Sequence, residues 1–348
     1  MILQRFNLRH RRLGFTVPWA GWKWPLWPLA FLLLIAMIGL PAIRHDAYLF
    51  RILTTILIWS ILALGQNVIT GFCGQLSFGQ AAFYGIGAYT SALLSIHFDL
   101  PYPLILVAAA GLAGIAGVIV GYPAIRIGGD YLFLVTIGFA EIIREVFLNW
   151  DDLTGGAIGL PGVPPVTLFG MTLETNVHYY YLSLACLTLS VIALMRILDS
   201  DVGRCFKAVR EDELAARAAG INVTFYKLLA FGIGAALGGV AGSLIAHFLA
   251  YVGPDMFTNW ESTIVFAIVL VGGLGSVPGT ILGAVLIIGT FESIRQLIDY
   301  RLYIAGLLLV GTVLIKPSGL LGAVKLTMPI VPPGAEEPPA DEEPRNIL

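Results

Sequence analysis

Long apolar runs recur along this chain, each ended by a charged or glycine-rich joint. A helix that crosses a bilayer needs about 20 mostly apolar residues. Ten runs fit that description to differing degrees: Leu26–Ile43, Tyr48–Thr70, Leu76–Ile96, Tyr102–Tyr122, Tyr131–Leu148, Tyr179–Leu198, Leu228–Ala250, Ser262–Leu274, Thr280–Ile294 and Leu302–Leu314. The last three are short. The stretch Gly272–Thr280 reads either as a turn between two spans or as a break inside one, and the second reading lowers the count to eight or nine. The pattern predicts an all-α polytopic integral membrane protein of about ten transmembrane helices.

The positive charges give these spans a direction. Arg5, Arg9, Arg11, Arg12 and Lys23 precede the first span, which places the N-terminus in the cytoplasm. Ten crossings then put Arg126, the segment from Arg196 to Lys227, and Lys316, Lys325 and Arg345 on that same side, with the C-terminus. The opposite loop from Asn149 to His178 contains no Lys or Arg. The chain therefore divides into a basic cytoplasmic N-terminal segment (1–25), six spans (26–198), a cytoplasmic loop (199–227), four spans (228–322) and a Pro- and Glu-rich tail (323–348) expected to be disordered. The long first apolar run lacks a small-residue cleavage site after it and reads as a retained span rather than a leader.

Composition supports this class and removes others. Of 348 residues, 57% are hydrophobic and 12% charged, about half the charged share of a soluble domain. The 40 glycines suit close packing between membrane helices. Two small-residue ridges, Ala113-Gly117-Gly121 and Gly234-Gly238-Gly242, predict helix contacts within the chain or with a sister subunit. A net charge of −2 gives no field for nucleic acid. Cys73, Cys186 and Cys205 are scattered, and no His, Cys or carboxylate set has metal-ligand or catalytic spacing. There is no phosphate-binding loop, so the chain is not expected to bind a cofactor or to hydrolyse nucleotide itself. Lone His247 reads as a packed polar residue.

The charged island between spans six and seven stands out against this background. Its local signals predict a short helix from Glu211 to Ala219. Acidic residues stand at its start, where the helix dipole favours them, and Gly220 stands at its end as a cap. Leu214 and Ala218 share a face that Ile221 continues. So short a helix needs docking to be stable. It is either a connector or a grip for a partner outside the membrane.

Two further places carry polar groups at membrane depth. Gly71–Gly87 opens the third span with glycines and with Gln75, Ser77, Gly79 and Gln80; broken helices of this kind meet substrates in transporters, or simply pack closely. Glu141, Arg144 and Glu145 lie within the fifth span. Arg144 and Glu141 are spaced to pair, either on a translocation route or as a self-satisfied structural pair. The turn-rich outer loop Leu153–Val163 suits a soluble partner or a lid.

Four blocks give the chain its resemblance: Gly71–Gln80, Leu153–Leu160, Ala208–Lys227 and Gly272–Thr280. Together they resemble the LivM-type permease subunit of ABC importers for branched-chain amino acids, over most of Tyr48–Gly322. The resemblance implies an inner-membrane importer subunit working with a second, LivH-like permease, two cytoplasmic ATPases that use ATP and Mg, and a soluble substrate-binding protein. It implies that the island is the coupling helix, with Arg210, Glu213 and Gly220 at signature positions; here the glycine stands one residue later than in the general importer pattern. The same resemblance includes importers of urea and short-chain amides. A self-sufficient secondary transporter or channel, and a membrane enzyme, are the other classes weighed, and neither accounts for the docking island.

Overall fold

The computed structural model describes residues 46–98, 100–127, 131–168, 171–293 and 319–322, with Met37, Pro41, Gly306, Val310, Gly311 and Leu314 as isolated positions. The expected spans Leu26–Ile43 and Leu302–Leu314, the N-terminal segment and the acidic tail lie mostly or wholly outside the described residues. Within them the chain is dominated by helices: α1 (Ala47–Gln66), α2 (Gln80–His97), α3 (Tyr102–Ile127), α4 (Tyr131–Asn149), α5 (Asp151–Thr154), α6 (Asn176–Asp199), α7 (Asp201–Glu211), α8 (Glu213–Ala218), α9 (Val223–Leu249), α10 (Asn259–Gly272) and α11 (Val277–Ser293). A π-helical segment, Asn67–Phe72, prolongs α1. Among the described residues four helices are long and apolar enough to cross a membrane: Ala47–Phe72, Tyr102–Arg126, Asn176–Asp199 and Val223–Leu249.

The other expected spans within the described residues are helices with a physical reason for falling short. α2 starts at Gln80, four residues later than expected, because Gly74–Gly79 is not helical. α4 carries Glu141, Arg144 and Glu145. α10 and α11 have only 14 and 17 residues, and the Gly272–Thr280 stretch holds a turn at 273–276 between them: Gly272 packs on Gly279 and Gly283 packs on Ile268, so the two helices run antiparallel. Residues 319–322 return to this hairpin, where Leu320 N and Leu321 N donate to the carbonyls of Val271 and Gly272 at 2.9 and 3.0 Å.

α9 is the central helix and packs on α1, α2 and α3. Both small-residue ridges are used here, within the chain. Gly242 lies against the backbone of Tyr84 and Ala88, and Gly117 lies against Ala235 and Phe231. A Cβ on Gly242 would collide with the Tyr84 carbonyl, so α2 and α9 approach at a distance only glycine permits. At one end, Asn176 Nδ2 donates to the Ala47 carbonyl at 3.0 Å, joining the starts of α6 and α1. At the other end α6 leads into the island. The 149–178 loop joins the first end: Leu160–Pro161 (β1) pairs with Tyr251–Val252 (β4), while Thr167–Leu168 (β2) and Met171–Thr172 (β3) form a separate hairpin. The island and the 149–178 loop therefore lie at opposite ends of the bundle.

His247 fastens this loop. Its Nδ1 is 2.8 Å from the Pro164 carbonyl, and its Nε2 is 3.0 and 3.2 Å from the hydroxyls of Ser91 and Ser95. It is a packed polar residue, as the sequence suggests.

Candidate functional site

The island is two helices. Glu211 ends α7, and Asp212 interrupts the expected Glu211–Ala219 helix in an extended conformation. Its carboxylate accepts from Leu214 N and Ala215 N at 2.8 and 3.0 Å, so it is the N-cap of α8. Aspartate so placed competes with the helix backbone before it and supports the helix after it. At the other end Gly220 has φ +82, a left-handed conformation suited to glycine. Gly220 N donates to Arg217 O, and Ile221 N to Ala216 O, both at 3.0 Å, which closes the helix as a paired C-cap.

The predicted island residues separate into an outward and an inward set. Leu214 is 76% exposed and Ala218 is also exposed, so their shared face is free. Glu213 instead turns inward and pairs with the buried Lys227 of α9, with Arg217 3.9 Å away. Arg210 also points inward and donates to the Gly71 carbonyl. Phe206 and Val209 of α7 are buried. Burial pulls Lys207 below the usual lysine value, opposed by Asp199 and Glu211.

The π-helical end of α1 leads into a non-helical stretch whose backbone is satisfied by side chains. Gln66 Nε2 donates to Ser77 O at 2.7 Å. Phe78 N donates to Thr136 Oγ1 at 2.9 Å. Ala81 N, in the first turn of α2, donates to Ser262 Oγ of α10 at 3.0 Å. Gln80 Nε2 bridges α1 and α9 through the carbonyls of Leu62 and Gly234, at 3.3 and 3.0 Å. Gln75, Ser77 and Gln80 are all buried, and a Cβ on Gly79 would meet only ordinary contacts. All four stand in the interior rather than along an open surface, and Gln80 is the one among them whose side chain joins two helices.

Glu141 and Arg144 are placed differently. Arg144 Nε donates to Glu141 Oε1 at 2.8 Å, and its Nη2 donates to Glu145 Oε1 at 2.9 Å. Asn259 Nδ2, at the start of α10, donates to Glu141 Oε2 at 3.0 Å. A shallow, largely apolar depression on this face of α4 is lined by Gly138, Glu141, Ile142, Glu145, Val146 and Asn149. The pathway candidates thus fall into a buried set and a partly exposed, ion-paired face, and Ala81–Ser262 links α2 to α10, the helix whose first residue is Asn259.

Sequence reasoning missed Asn259 and Asn67. Asn259 follows the capping box Thr258…Glu261, in which Glu261 Oε2 accepts from Thr258 N at 2.8 Å; that spacing was readable as a helix start. Asn67 is fully buried, accepts from Gly275 N at 2.9 Å and donates to Thr280 Oγ1 at 2.8 Å. It sits within an apolar run with no local signal. Among the described residues no group of three or more His, Cys, Asp or Glu is placed to hold a metal ion.

Comparison with known proteins gives consistent matches. The family model described as "Branched-chain amino acid transport system / permease component" matches residues 48–315. The high-affinity branched-chain amino acid transport system permease protein LivM of Salmonella typhimurium is 38% identical, over 78% of this chain and 69% of that protein. LivM of Escherichia coli matches at the same identity and coverage. LivH of Salmonella typhimurium is 28% identical, over 76% of this chain and 91% of that protein. No solved structure matches.

Proposed function

The chain belongs to the family of branched-chain amino acid transport permease components, and from that premise we propose how it works as the multi-pass permease subunit of an ATP-driven importer in the cytoplasmic (inner) membrane. It translocates branched-chain or other apolar amino acids and is not itself an enzyme. Its partners are a second, LivH-like permease, two cytoplasmic ATPases that use ATP and Mg, and a soluble substrate-binding protein on the outer side. The likeness to both LivM and LivH supports a permease pair.

The observation that carries the coupling half of this reading is the island's free face. α8 is anchored inward by Glu213 and capped at both ends, yet Leu214 and Ala218 face out. A six-residue helix has too few internal bonds to stand alone. Held in this way it is a small apolar knob suited to a groove on an ATPase, which makes 199–227 the coupling loop between the two sets of spans. Closure of the ATPases on ATP then selects between outward and inward access in the permease pair.

The route follows from the charges on α4. Intramembrane charges face protein or water rather than lipid, so the Glu141–Arg144–Glu145 face lies toward the sister permease. A zwitterionic amino acid needs partners for both of its charges once it leaves bulk water. This face supplies a guanidinium and two carboxylates beside Asn259. The buried joint Gln75–Gln80 shapes the route from behind.

The test is uptake by the reconstituted complex of all partners in proteoliposomes. Leucine, isoleucine and valine should enter only with ATP inside and binding protein outside. Uptake without the ATPases, or preferential uptake of urea under the same conditions, contradicts the proposal.

A further inference from the structure

On the importer reading above, we propose that Arg210 is the positioning residue through which displacement of the island reaches the membrane core. Its guanidinium fastens α7 to the π-helical end of α1 and lies against the turn between α10 and α11.

The contacts converge on one side chain. Arg210 Nη1 donates to the carbonyl of Gly71, in the last turn of the π-helical segment. A Cβ on Gly74 would lie 2.9 Å from Arg210 Cγ, and one on Gly275 would lie 2.8 Å from its Nη1. Three separate segments thus meet at this residue: the end of α1 accepts its hydrogen bond, and glycines in the non-helical stretch that leads to α2 and in the hairpin turn leave room for it. Among the described residues no carboxylate is within ion-pair distance of Arg210. Its charge is met by a carbonyl at the C-terminal end of a long helix, where the helix dipole is negative. Burial pulls its pKa below the usual arginine value, with the neighbouring Glu211 opposing.

The same turn is gripped from inside the membrane by Asn67. It accepts from Gly275 N at 2.9 Å and donates to Ser276 O at 3.2 Å and Thr280 Oγ1 at 2.8 Å. Asn67 and Gly71 share the π-helical segment, a backbone form that is rare and concentrated at functional sites. Movement of α7 would therefore pull at once on the end of α1, the approach to α2 and the start of α11. The other anchor, Glu213 with Lys227, ties the island to α9, the central scaffold. Arg210 is the contact that joins the island to segments flanking the helix breaks.

The complete transporter, reconstituted in proteoliposomes, tests this through leucine taken up per ATP hydrolysed. ATP-driven uptake by the unaltered complex is measured first; its absence defeats the importer reading itself. With that uptake in hand, Arg210→Met should still co-purify with the ATPases while uptake per ATP falls about tenfold, a typical coupling between distant sites. Arg210→Lys, which keeps the charge but loses the planar fork, should fall between Arg210→Met and the unaltered complex. An unchanged ratio in Arg210→Met overturns the proposal. So does loss of the ATPases on purification, as expected of the control Leu214→Asp, because Arg210 would then belong to the partner interface. If Arg210→Met does not accumulate, Arg210→Lys decides: a lowered ratio with the ATPases retained supports the proposal, and an unchanged ratio overturns it.

Discussion

Lys227 is buried at the base of α9 and has Glu213 as its ion-pair partner. A buried ammonium without its partner is costly, whereas an exposed carboxylate is not. Glu213 is 40% exposed, so water offsets part of the pair's strength. Glu213→Gln should then lower stability by roughly 1–3 kcal/mol, read as a lower melting midpoint of the purified complex. Glu213→Lys should lower it further, and Lys227→Glu added to Glu213→Lys should restore part of the loss. Equal melting of Glu213→Gln and the unaltered protein would place Glu213 on the ATPase side alone. Ser77 gives a second residue-scale prediction. It is fully buried, and extra bulk in a packed interior costs about 1–3 kcal/mol. Ser77→Leu should therefore reduce abundance and assembly, whereas Gly79→Ala, with only ordinary contacts to meet, should accumulate and transport normally. Normal assembly of Ser77→Leu with lost uptake would move this stretch from joint to route.

The island shows at the scale of the element what a sequence can and cannot display. Gly220 as the cap of α8, and the outward pairing of Leu214 with Ala218, were legible because glycine at a helix end and a spacing of four residues are local signals. The break at Asp212 was not, because Glu211, Asp212 and Glu213 all suit a helix start and only the carboxylate's choice of N–H groups separates them. α7 was hidden for a related reason. Its buried Phe206 and Val209 lie among charges, and their burial depends on helices far away in sequence. The buried joint at Gly71–Gln80 was legible as polar and irregular, but its satisfaction by Gln66, Thr136 and Ser262 is a tertiary fact. If α8 is the docking element, Leu214→Asp should leave the melting midpoint unchanged, since the side chain is 76% exposed, and should release the ATPases on purification. Retained ATPases in that variant would assign docking elsewhere.

At the scale of the molecule, the island and the 149–178 loop mark the two ends of the bundle, and the excess of Lys and Arg near the island predicts that this end faces the cytoplasm. Ile158, 77% exposed at the other end, is a suitable position for a single cysteine. In a cysteine-free background Ile158→Cys should react with an impermeant thiol reagent applied outside, and Cys205, retained alone, should not. Labelling of Cys205 from outside would invert the topology. Transport powered by a separate ATPase through the island is the central claim, and cross-linking tests it most directly. A cysteine at Leu214, paired with one introduced in the ATPase groove and treated with a mild oxidant, should form a disulfide cross-link in the working transporter, in a yield that changes when ATP is bound. That cross-link should halt uptake, and reduction should restore it. Uptake that continues with the cross-link fully formed, or a working transporter that forms no cross-link at this position, would contradict the account.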